Sequence, residues 1–420
     1  MPKTVHIIGA GISGLSAAVR LANAGCKVAV HEATQQAVGR CRSYFDAATN
    51  LTIDNGNHLL LSGNRHALAY ARSVGSEAGL VGPARAQFPF VDLASGQRWQ
   101  LDLGEGRLPT WVFDESRRVP DTGLMDYLSL MPLIWASQNT LVGNAIPCDG
   151  TLYQRLVQPL LLAALNVDPP EGSAGLAGAI VRETLLAGGQ ACRPLIAREG
   201  LSAVLIEPAV KFLTERGHTV QLGHELREFT SSDGRVNALN FGGEDVIPVA
   251  SDDAIVMAVP PRAASSLLPG IKTPTKFRAI VNAHFRYDPP PGAAPILGVV
   301  GGLVEWLFAF PQRLSVTISN GDRLVDMPRE ELAQAIWDDV CNAAGISGTP
   351  ELPPWQIVRE RRATFAATPE QNALRPGPVT ALKNLFLAGD WTDTGLPATI
   401  DGSVRSGDRA ADLVLGLRRA

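Results

Sequence analysis

The chain has 420 residues, of which 45% are hydrophobic and 19% are charged, and its formal net charge is −4. Because this length exceeds what one compact core usually accommodates, we expect two domains. The balance of 37 Lys and Arg against 41 Asp and Glu provides no basic surface, which argues against a nucleic-acid partner.

The N-terminus enters an apolar strand directly, without the charged and then apolar leader of an exported protein, so we expect no signal peptide. No run of ~20 uncharged apolar residues is present, so we expect no spanning helix. The five cysteines are scattered and form no CxxC pair, which is typical of buried thiols in a reducing cytoplasm.

Residues 4–33 predict a strand, a glycine-rich turn, a helix and a second strand. The turn matches G-x-G-x-x-G at Gly9, Gly11 and Gly14. Gly9 permits the tight turn, Gly11 lets the backbone approach a pyrophosphate, and Gly14 lets the helix pack close to the strand. The helix N-terminus offers free N–H groups to the diphosphate. Glu32, at the end of the second strand, accepts hydrogen bonds from ribose hydroxyls, which excludes NADP but leaves FAD and NAD open.

The next stretch, VGRCRSYFD at 38–46, distinguishes these cofactors by a resemblance. It is similar to the GGR-S segment of the flavin-containing amine oxidase and carotenoid desaturase superfamily. The resemblance implies FAD, with Arg40 at its diphosphate and Arg42 in a similar position. The chain departs from that pattern because Val38 replaces the first glycine and Cys41 is inserted before Arg42.

A polar cluster follows in IDNGNHLLLSG, residues 53–63, which holds Asp54, Asn55, Asn57 and His58 beside an apolar run. The superfamily places this segment near the reactive ring of the flavin. We therefore expect Asn55, Asn57 and His58 to point toward the flavin or toward the reacting carbon of the substrate. The alternative is a polar cluster whose members bond only to each other and to the surrounding turn.

Two long apolar stretches, 123–143 and 151–181, lie in the middle of the chain, and prolines interrupt both. One interpretation is a helical core. The other is a hydrophobic tunnel with a face that rests on a bilayer, which suits a water-insoluble substrate. The sequence leaves both open.

The C-terminal segment 384–415 predicts a strand, a loop and a final helix. In the superfamily, the matching aspartate, here Asp390, holds the ribityl chain and diphosphate, and the turn into the helix meets the pyrimidine edge of the flavin. The resemblance also places residues after the strand at 220–222 near the adenine, and it directs the tip of a strand ending near Val259 toward the cofactor. The complete set of expected FAD contacts is Gly9, Gly11, Ile12, Ser13, Gly14, Glu32, Ala33, Gly39, Arg40, Arg42, Leu226, Val259, Gly389, Asp390, Ala398, Thr399 and Ile400.

The resemblance implies an α/β fold with a Rossmann-like FAD-binding domain of the GR2 type and an inserted α+β substrate domain. The FAD-binding domain is expected to be discontinuous, formed by 1–61, 191–261 and 356–420. The substrate domain is then formed by 62–190 and 262–355.

Three stretches, 39–64, 360–371 and 389–404, resemble the hydroxysqualene dehydroxylase family, the squalene-associated FAD-dependent desaturases of hopanoid biosynthesis. This resemblance implies that reduced flavin delivers hydride from N5 to an allylic carbon of hydroxysqualene, giving squalene and water. His58 is then the candidate proton donor and Asp54 the second candidate, while Asn55 and Asn57 orient the substrate.

Two other functions remain open, an oxidative carotenoid-type desaturase or amine oxidase, and a flavin-binding lipid carrier without turnover. The expected partners are a hydrophobic isoprenoid substrate, the inner face of the cytoplasmic membrane as a peripheral surface, and the upstream squalene-forming enzymes.

Overall fold

The computed structural model describes residues 3–37, 39–348 and 350–417, so Val38, where the sequence departs from the superfamily pattern, lies outside the described residues. The strands in chain order are β1 (Thr4–Ile8), β2 (Lys27–Glu32), β3 (Ser43–Asp46), β4 (Leu51–Asp54), β5 (Leu60–Leu61), β6 (Leu80–Val81), β7 (Gln87–Asp92), β8 (Arg98–Asp102), β9 (Pro194–Ala197), β10 (Thr219–Leu222), β11 (Glu228–Ser232), β12 (Arg235–Gly242), β13 (Asp245–Pro248), β14 (Ala254–Met257), β15 (Phe277–Phe285), β16 (Ile296–Val300), β17 (Trp306–Phe310), β18 (Arg313–Ile318), β19 (Trp355–Phe365) and β20 (Leu385–Leu387).

The helices are longer on average than the strands and fall mostly in the first half of the chain and at its end. In chain order they are α1 (Ile12–Asn23), α2 (Arg65–Ser73), α3 (Leu124–Leu128), α4 (Val142–Ala145), α5 (Gly150–Leu152), α6 (Gln158–Leu165), α7 (Ala174–Glu183), α8 (Glu207–Glu215), α9 (Pro261–Leu267), α10 (Arg329–Ala344), α11 (Pro369–Asn372) and α12 (Ile400–Val414).

A five-stranded parallel sheet, in the order β10-β2-β1-β14-β20, combines strands from both ends and the middle of the chain. Helices α1, α2, α8 and α12 contribute side chains to the apolar core on one face. The antiparallel sheet β11-β12-β13 contributes to the core on the other. Because parallel strands end at the same edge, the segments after β1, β2, β14 and β20 lie together, as the sequence predicted.

The central helices α1 and α12 approach closely because small residues line their contact. A Cβ atom added to Gly407 would lie 2.2 Å from the carbonyl oxygen of Ser13 and 2.1 Å from Oγ of Ser16. At the periphery of the same contact, Arg20 pairs with Asp412 at 2.6 Å. This packing holds the last helix of the chain against the glycine-rich turn.

Two helices contain a π turn immediately before a proline. The π turn Tyr153–Val157 precedes Pro159, and Ser202–Ile206 precedes Pro208. Proline has no N–H group and its ring clashes with the carbonyl one turn earlier. The wider π turn makes room for the ring, so each helix continues through the proline.

A second, seven-stranded sheet has the order β19-β15-β18-β17-β16-β7-β8. One face packs on α10 and is apolar. The opposite face carries a polar row on the paired strands β15 and β18, where Asn282 lies opposite Thr317 and His284 lies opposite Ser315. The division into two domains at residues 355 and 356 stays a prediction, and β19 continues this sheet to Phe365.

The apolar stretch 123–143 forms no long helix. It is broken into α3, a 3-10 turn at Met131–Trp135, and α4. Some of its side chains are buried, including Leu133, while Met125 is 74% exposed and Trp135 is 75% exposed. The stretch therefore contributes both to a core and to an apolar surface.

A chain of histidines crosses the parallel sheet on the side of β11–β13. His6 Nδ1 lies 3.2 Å from His31 Nε2, and His31 Nδ1 lies 2.9 Å from His224 Nδ1. His224 Nε2 contacts a carboxylate oxygen of Asp245 at 2.7 Å. Burial, with a smaller repulsion from the neighbouring imidazoles, lowers the pKa of His31 to about 3. At neutral pH, His31 is therefore uncharged within this row of hydrogen-bonded histidines.

Buried neutral histidines predict that the protein loses stability in mild acid. Burial also lowers the pKa of His284 to about 3. A histidine in the unfolded chain has a pKa of ~6.5, so below that pH the unfolded chain binds protons that the folded chain does not bind. This difference in proton binding favours the unfolded state as the pH falls. We expect the free energy of unfolding, measured in urea, to fall between about pH 6 and 5.

The variant His31→Gln removes one of these proton-linked groups. We expect its stability to change less steeply with pH, by up to ~1.4 kcal/mol per pH unit. His66→Gln, at a partly exposed histidine, is the matched control. An unchanged slope in His31→Gln would contradict the prediction.

Candidate active site and cofactor site

The start of α1 is shaped for a diphosphate. Gly11 caps the helix without any side-chain hydrogen bond, and no acidic residue occupies the first turn. Gly39, at a backbone φ of +54°, faces Gly11 so closely that an added Cβ would lie 3.1 Å from the Gly11 Cα atom. Free N–H groups beside a surface without side chains suit an anionic group that approaches the backbone. The residues present therefore fit the diphosphate of FAD.

Close packing behind the turn explains the other two glycines. An added Cβ on Gly9, whose φ is +105°, would lie 2.7 Å from the carbonyl oxygen of Ala258. On Gly14 it would lie 1.9 Å from the carbonyl oxygen of Gly9. The next two expected contacts, Ile12 and Ser13, are buried in the first turn of α1. These placements agree with the roles that the motif implied.

Glu32 is held over the glycine-rich turn at the end of β2. One carboxylate oxygen accepts a hydrogen bond from the Ala10 N–H at 2.7 Å. The other accepts from the backbone and hydroxyl of Thr34, at 2.9 and 2.8 Å. The carboxylate is only partly buried, and Ala33 beside it is exposed. An anchored and accessible carboxylate is suited to bind ribose hydroxyls.

Arg40 and Asp390 meet although 350 positions separate them. Nη2 of Arg40 lies 2.6 Å from Oδ1 of Asp390, and Nη1 donates to the Ala363 carbonyl at 2.6 Å. The attraction of Asp390 raises the pKa of Arg40. The guanidinium side chain remains 47% exposed, whereas that of Asp390 is 7% exposed. The pair thus joins the two ends of the chain and leaves one face of the cation accessible.

The C-terminal turn presents a second helix N-terminus at this edge. Thr399 caps α12 by accepting a hydrogen bond from Gly402 N–H at 3.0 Å. Ala398 and Thr399 are partly buried, and Ile400 is 7% exposed. Position 389 requires glycine, because the backbone φ is +144° and an added Cβ would lie 2.5 Å from Nε1 of Trp391. The same indole nitrogen donates to the Val259 carbonyl at 2.9 Å.

Two of the expected cofactor contacts interact with other parts of the protein. Leu226 is 6% exposed and belongs to the core between the parallel sheet and β11–β13. Arg42 is exposed, and its guanidinium donates two hydrogen bonds to Oδ1 of Asn55, at 2.9 and 3.1 Å. Their contact with FAD stays a prediction.

Three polar side chains of the 54–58 turn bond to surrounding protein instead of facing open space. Oδ1 of Asp54 accepts hydrogen bonds from the Ser43 hydroxyl at 2.6 Å and the Leu201 N–H at 2.8 Å. Asn55 contacts Arg42 and, at 3.3 Å, a carboxylate oxygen of Glu360.

Asn57 is the third of these side chains. Its Nδ2 donates to the Val316 carbonyl at 3.1 Å, and its N–H donates to Oδ1 of Asn282 at 3.3 Å. Asp54, Asn55 and Asn57 are at most 7% exposed. The amide of Asn55 and Nδ2 of Asn57 thus bond to neighbouring protein, while Oδ1 of Asn57 is buried without a hydrogen-bond partner among the described residues. That the two asparagines point toward the flavin or toward the reacting carbon of the substrate stays a prediction.

His58 differs from these three. Its side chain is accessible, and its Nδ1 lies 2.8 Å from the Gly56 carbonyl, so Nδ1 carries the proton and Nε2 is directed away from the turn. Burial nevertheless lowers the pKa of His58, with the Gly56 carbonyl and Asp54 opposing that shift. His58 is therefore the exposed side chain of the 54–58 turn, and its role as a ligand contact stays a prediction.

The turn rests on residues that the sequence analysis did not single out. Asn282 donates to the Asn55 carbonyl at 3.4 Å and accepts from the Thr317 hydroxyl at 2.7 Å. The sequence of β18 and the residue after it alternates polar with apolar residues, which was an available sign of a strand with a polar face. Nothing local to Asn282 indicated its partner.

The cofactor site predicts a specific effect of losing Arg40. We expect Arg40→Gln to bind FAD at least tenfold more weakly, a loss of ~1.4 kcal/mol or more, because a charge-assisted contact to phosphate disappears. The measurement is titration of FAD-free protein with FAD, followed by flavin fluorescence. Arg362→Gln, at an exposed arginine of β19, should bind FAD as the native protein does. Equal affinities for both variants would refute the role of Arg40.

Known proteins resemble the chain over nearly its whole length. The family model of flavin-containing amine oxidoreductases matches residues 12–415. A hydroxysqualene dehydroxylase of Sinorhizobium fredii is 74% identical over 415 residues, which are 99% of each chain. A hydroxysqualene dehydroxylase of Rhodopseudomonas palustris is 72% identical over 420 residues, which are 100% of each chain.

Solved structures extend the likeness to the fold. Cyclohexylamine oxidase of Brevibacterium oxydans matches 100% of both chains with a TM-score of 0.71 at 19% identity. These findings bear out the Rossmann-like α/β fold and FAD as the cofactor. The chain belongs to the flavin-containing amine oxidoreductase family, and within that family to the hydroxysqualene dehydroxylases.

Proposed function

We propose that this protein converts hydroxysqualene to squalene and water by FAD-dependent reductive dehydroxylation. The observation that carries the proposal is the full-length identity of 74% and 72% to two hydroxysqualene dehydroxylases. The geometry supports it, because a fitted FAD cradle and one accessible imidazole lie beside a large apolar cluster.

The apolar cluster joins the site to the middle of the chain. Leu59 and Leu61, immediately after His58, pack against a core built largely from the residues of α3–α7 and their connecting turns. Ala398, at the turn before α12, packs against the same core, as does Trp306 of β17. A region lined in this way excludes water and suits a long hydrocarbon substrate.

The chemistry divides between cofactor and protein. Arg40, Asp390 and the N-terminus of α1 would hold FAD, which in its reduced form would supply hydride. The hydroxyl of the substrate is on an allylic carbon, so donation of a proton to its oxygen lets it leave as water. We assign this proton to Nε2 of His58, whose orientation the Gly56 carbonyl fixes. Because burial lowers the pKa of His58, its imidazole becomes protonated only at a lower pH than a free imidazole does.

Product analysis under anaerobic conditions tests the function. The FAD-loaded protein is photoreduced and then mixed with hydroxysqualene. We expect the flavin to reoxidise with formation of one squalene per flavin. Oxidation of a polyene or an amine by the oxidised protein would indicate the oxidative alternative instead, and binding of hydroxysqualene without reoxidation would indicate a carrier.

Variants of His58 test the proton donor separately. We expect His58→Ala and His58→Gln to slow single-turnover flavin reoxidation by at least 100-fold, within the range of general acid catalysis, while FAD stays bound. In the native protein, the rate of flavin reoxidation should rise as the pH is lowered toward ~5.5. In both variants, the rate should not rise over this pH range. His66→Gln is the control. Normal turnover by His58→Ala would exclude the assignment.

A membrane surface is part of the same proposal. Among the described residues, no helix combines the length and hydropathy needed to cross a bilayer. The region 108–141 nevertheless exposes six large apolar side chains, here called the apolar surface: Leu108, Phe113, Met125, Leu128, Trp135 and Leu141. Their neighbours Tyr127, Leu130 and Leu133 belong to the apolar cluster beside His58. We propose that this surface rests on the inner face of the cytoplasmic membrane, where it admits substrate.

Lipid binding tests this surface. We expect the triple variant Phe113→Ser, Met125→Ser, Trp135→Ser to bind vesicles at least tenfold more weakly, because each side chain gives up ~1.5 kcal/mol or more of burial. The measurement is co-sedimentation with vesicles of mixed zwitterionic and anionic lipids. Exposed apolar residues elsewhere, in Phe45→Ser, Leu222→Ser, Val246→Ser, provide the control. Equal binding of both triple variants would refute the proposal that the apolar surface binds the membrane.

Association with upstream squalene-forming enzymes stays a prediction.

A further inference from the structure

A buried arginine lies at the centre of the C-terminal cofactor loop. Arg375 is 7% exposed, and its guanidinium is enclosed by backbone and side-chain oxygen atoms. Nη2 donates to the carbonyls of Asp390 and Thr392, at 3.0 and 2.5 Å, and to the Thr394 hydroxyl at 3.0 Å. Nη1 donates to Oδ1 of Asn372 at 3.0 Å. The loop that follows β20 therefore curls around one cation.

Within the described residues no salt bridge compensates the charge of Arg375, and the carboxylates of Asp393 and Asp390 favour the cation only from a longer distance. All four acceptors are uncharged. The carboxylate of Asp390 is directed at Arg40 instead. The face of the guanidinium lies 4.7 Å from the centre of the Phe365 ring, and burial lowers the pKa of Arg375 to about 10, so it is still a cation at neutral pH.

A buried cation without an ion-pair partner is costly, and the more distant carboxylates of Asp393 and Asp390 offset only part of that cost. Moving a charge out of water costs several kcal/mol even after relaxation, and hydrogen bonds to neutral groups offset only part of that cost. A structural clamp for the loop does not need a permanent charge. The position of Arg375 therefore points to a bound group that carries or develops negative charge.

The loop around Arg375 leads directly to the N-terminus of α12. Its last bonded residue, Thr394, is linked to Leu396 by a 3.2 Å hydrogen bond, and the helix begins at Ile400. The helix N-terminus is itself a source of positive potential. Two positive elements thus lie beside the turn where the sequence resemblance places the pyrimidine edge of the flavin, which gains negative charge on reduction.

We propose that Arg375 is a positioning residue whose charge favours reduced over oxidised FAD in this protein. The proposal rests on FAD binding at the described site and on no particular substrate. Through its carbonyl contacts Arg375 also fixes Asp390, but that second role alone would affect oxidised and reduced FAD alike.

The experiment compares Arg375→Gln with the native FAD-loaded protein by reductive titration against a reference dye. We expect the ratio of the affinities for reduced and oxidised FAD to fall at least tenfold, which for a two-electron couple lowers the midpoint potential by about 30 mV. The control is Arg409→Gln, since Arg409 also donates to this loop, at 2.7 Å from the Asp393 carbonyl, but from the protein surface. The control should keep the native potential.

An Arg375→Gln protein that binds FAD with the native potential would overturn the proposal, even if its melting temperature fell. Where this variant retains no FAD, sulfite provides the second measurement on native protein. Sulfite adds to oxidised flavin at N5, and the displaced electron pair places negative charge on the N1–C2=O edge. We expect sulfite to bleach the native flavin at micromolar to low millimolar concentrations. No bleaching at 100 mM sulfite would overturn the proposal.

Discussion

The meeting of Arg40 with Asp390 is the contact on which the site depends. The two residues are far apart in the chain, and they meet only because β2, β1, β14 and β20 are consecutive parallel strands of one sheet. That arrangement places the loops after all four strands at a single edge. The ion pair then joins the loop after β2 to the loop after β20, so the cradle for the diphosphate is complete only when the first and last parts of the chain have folded together.

The second sheet controls the substrate side through a buried polar network. Asn282 and Thr317 lie opposite each other on β15 and β18 and bind the 54–58 turn. Buried amides are costly unless their hydrogen bonds are formed, so the turn has one favourable position. His58 is the exposed member of the turn. The hydrogen bonds of Asn55 and Asn57 hold the backbone on either side of Gly56, whose carbonyl orients the imidazole.

The sequence predicted what local patterns encode. The β1–α1–β2 unit and the β20–α12 unit follow from glycine spacing and apolar periodicity within about 30 residues, and both were found. The partners of Asn57 were beyond reach, because Asn282 and Val316 are 225 and 259 positions away. The parallel pairing of β16 with β7 is likewise non-local. Arg375 was missed because a single arginine before Pro-Gly gives no sign of being buried.

The two sides of the site impose opposite electrostatic demands. Near the cofactor, Arg40, Arg375 and two helix N-termini supply positive potential, which suits a diphosphate and a flavin that gains negative charge. Around His58, burial disfavours charge and lowers the pKa of the imidazole. In the proposed reaction, a proton donated by His58 leaves the imidazole in the neutral form that its surroundings prefer. The same desolvation that makes the protonated form scarce at neutral pH makes each protonated His58 a stronger proton donor.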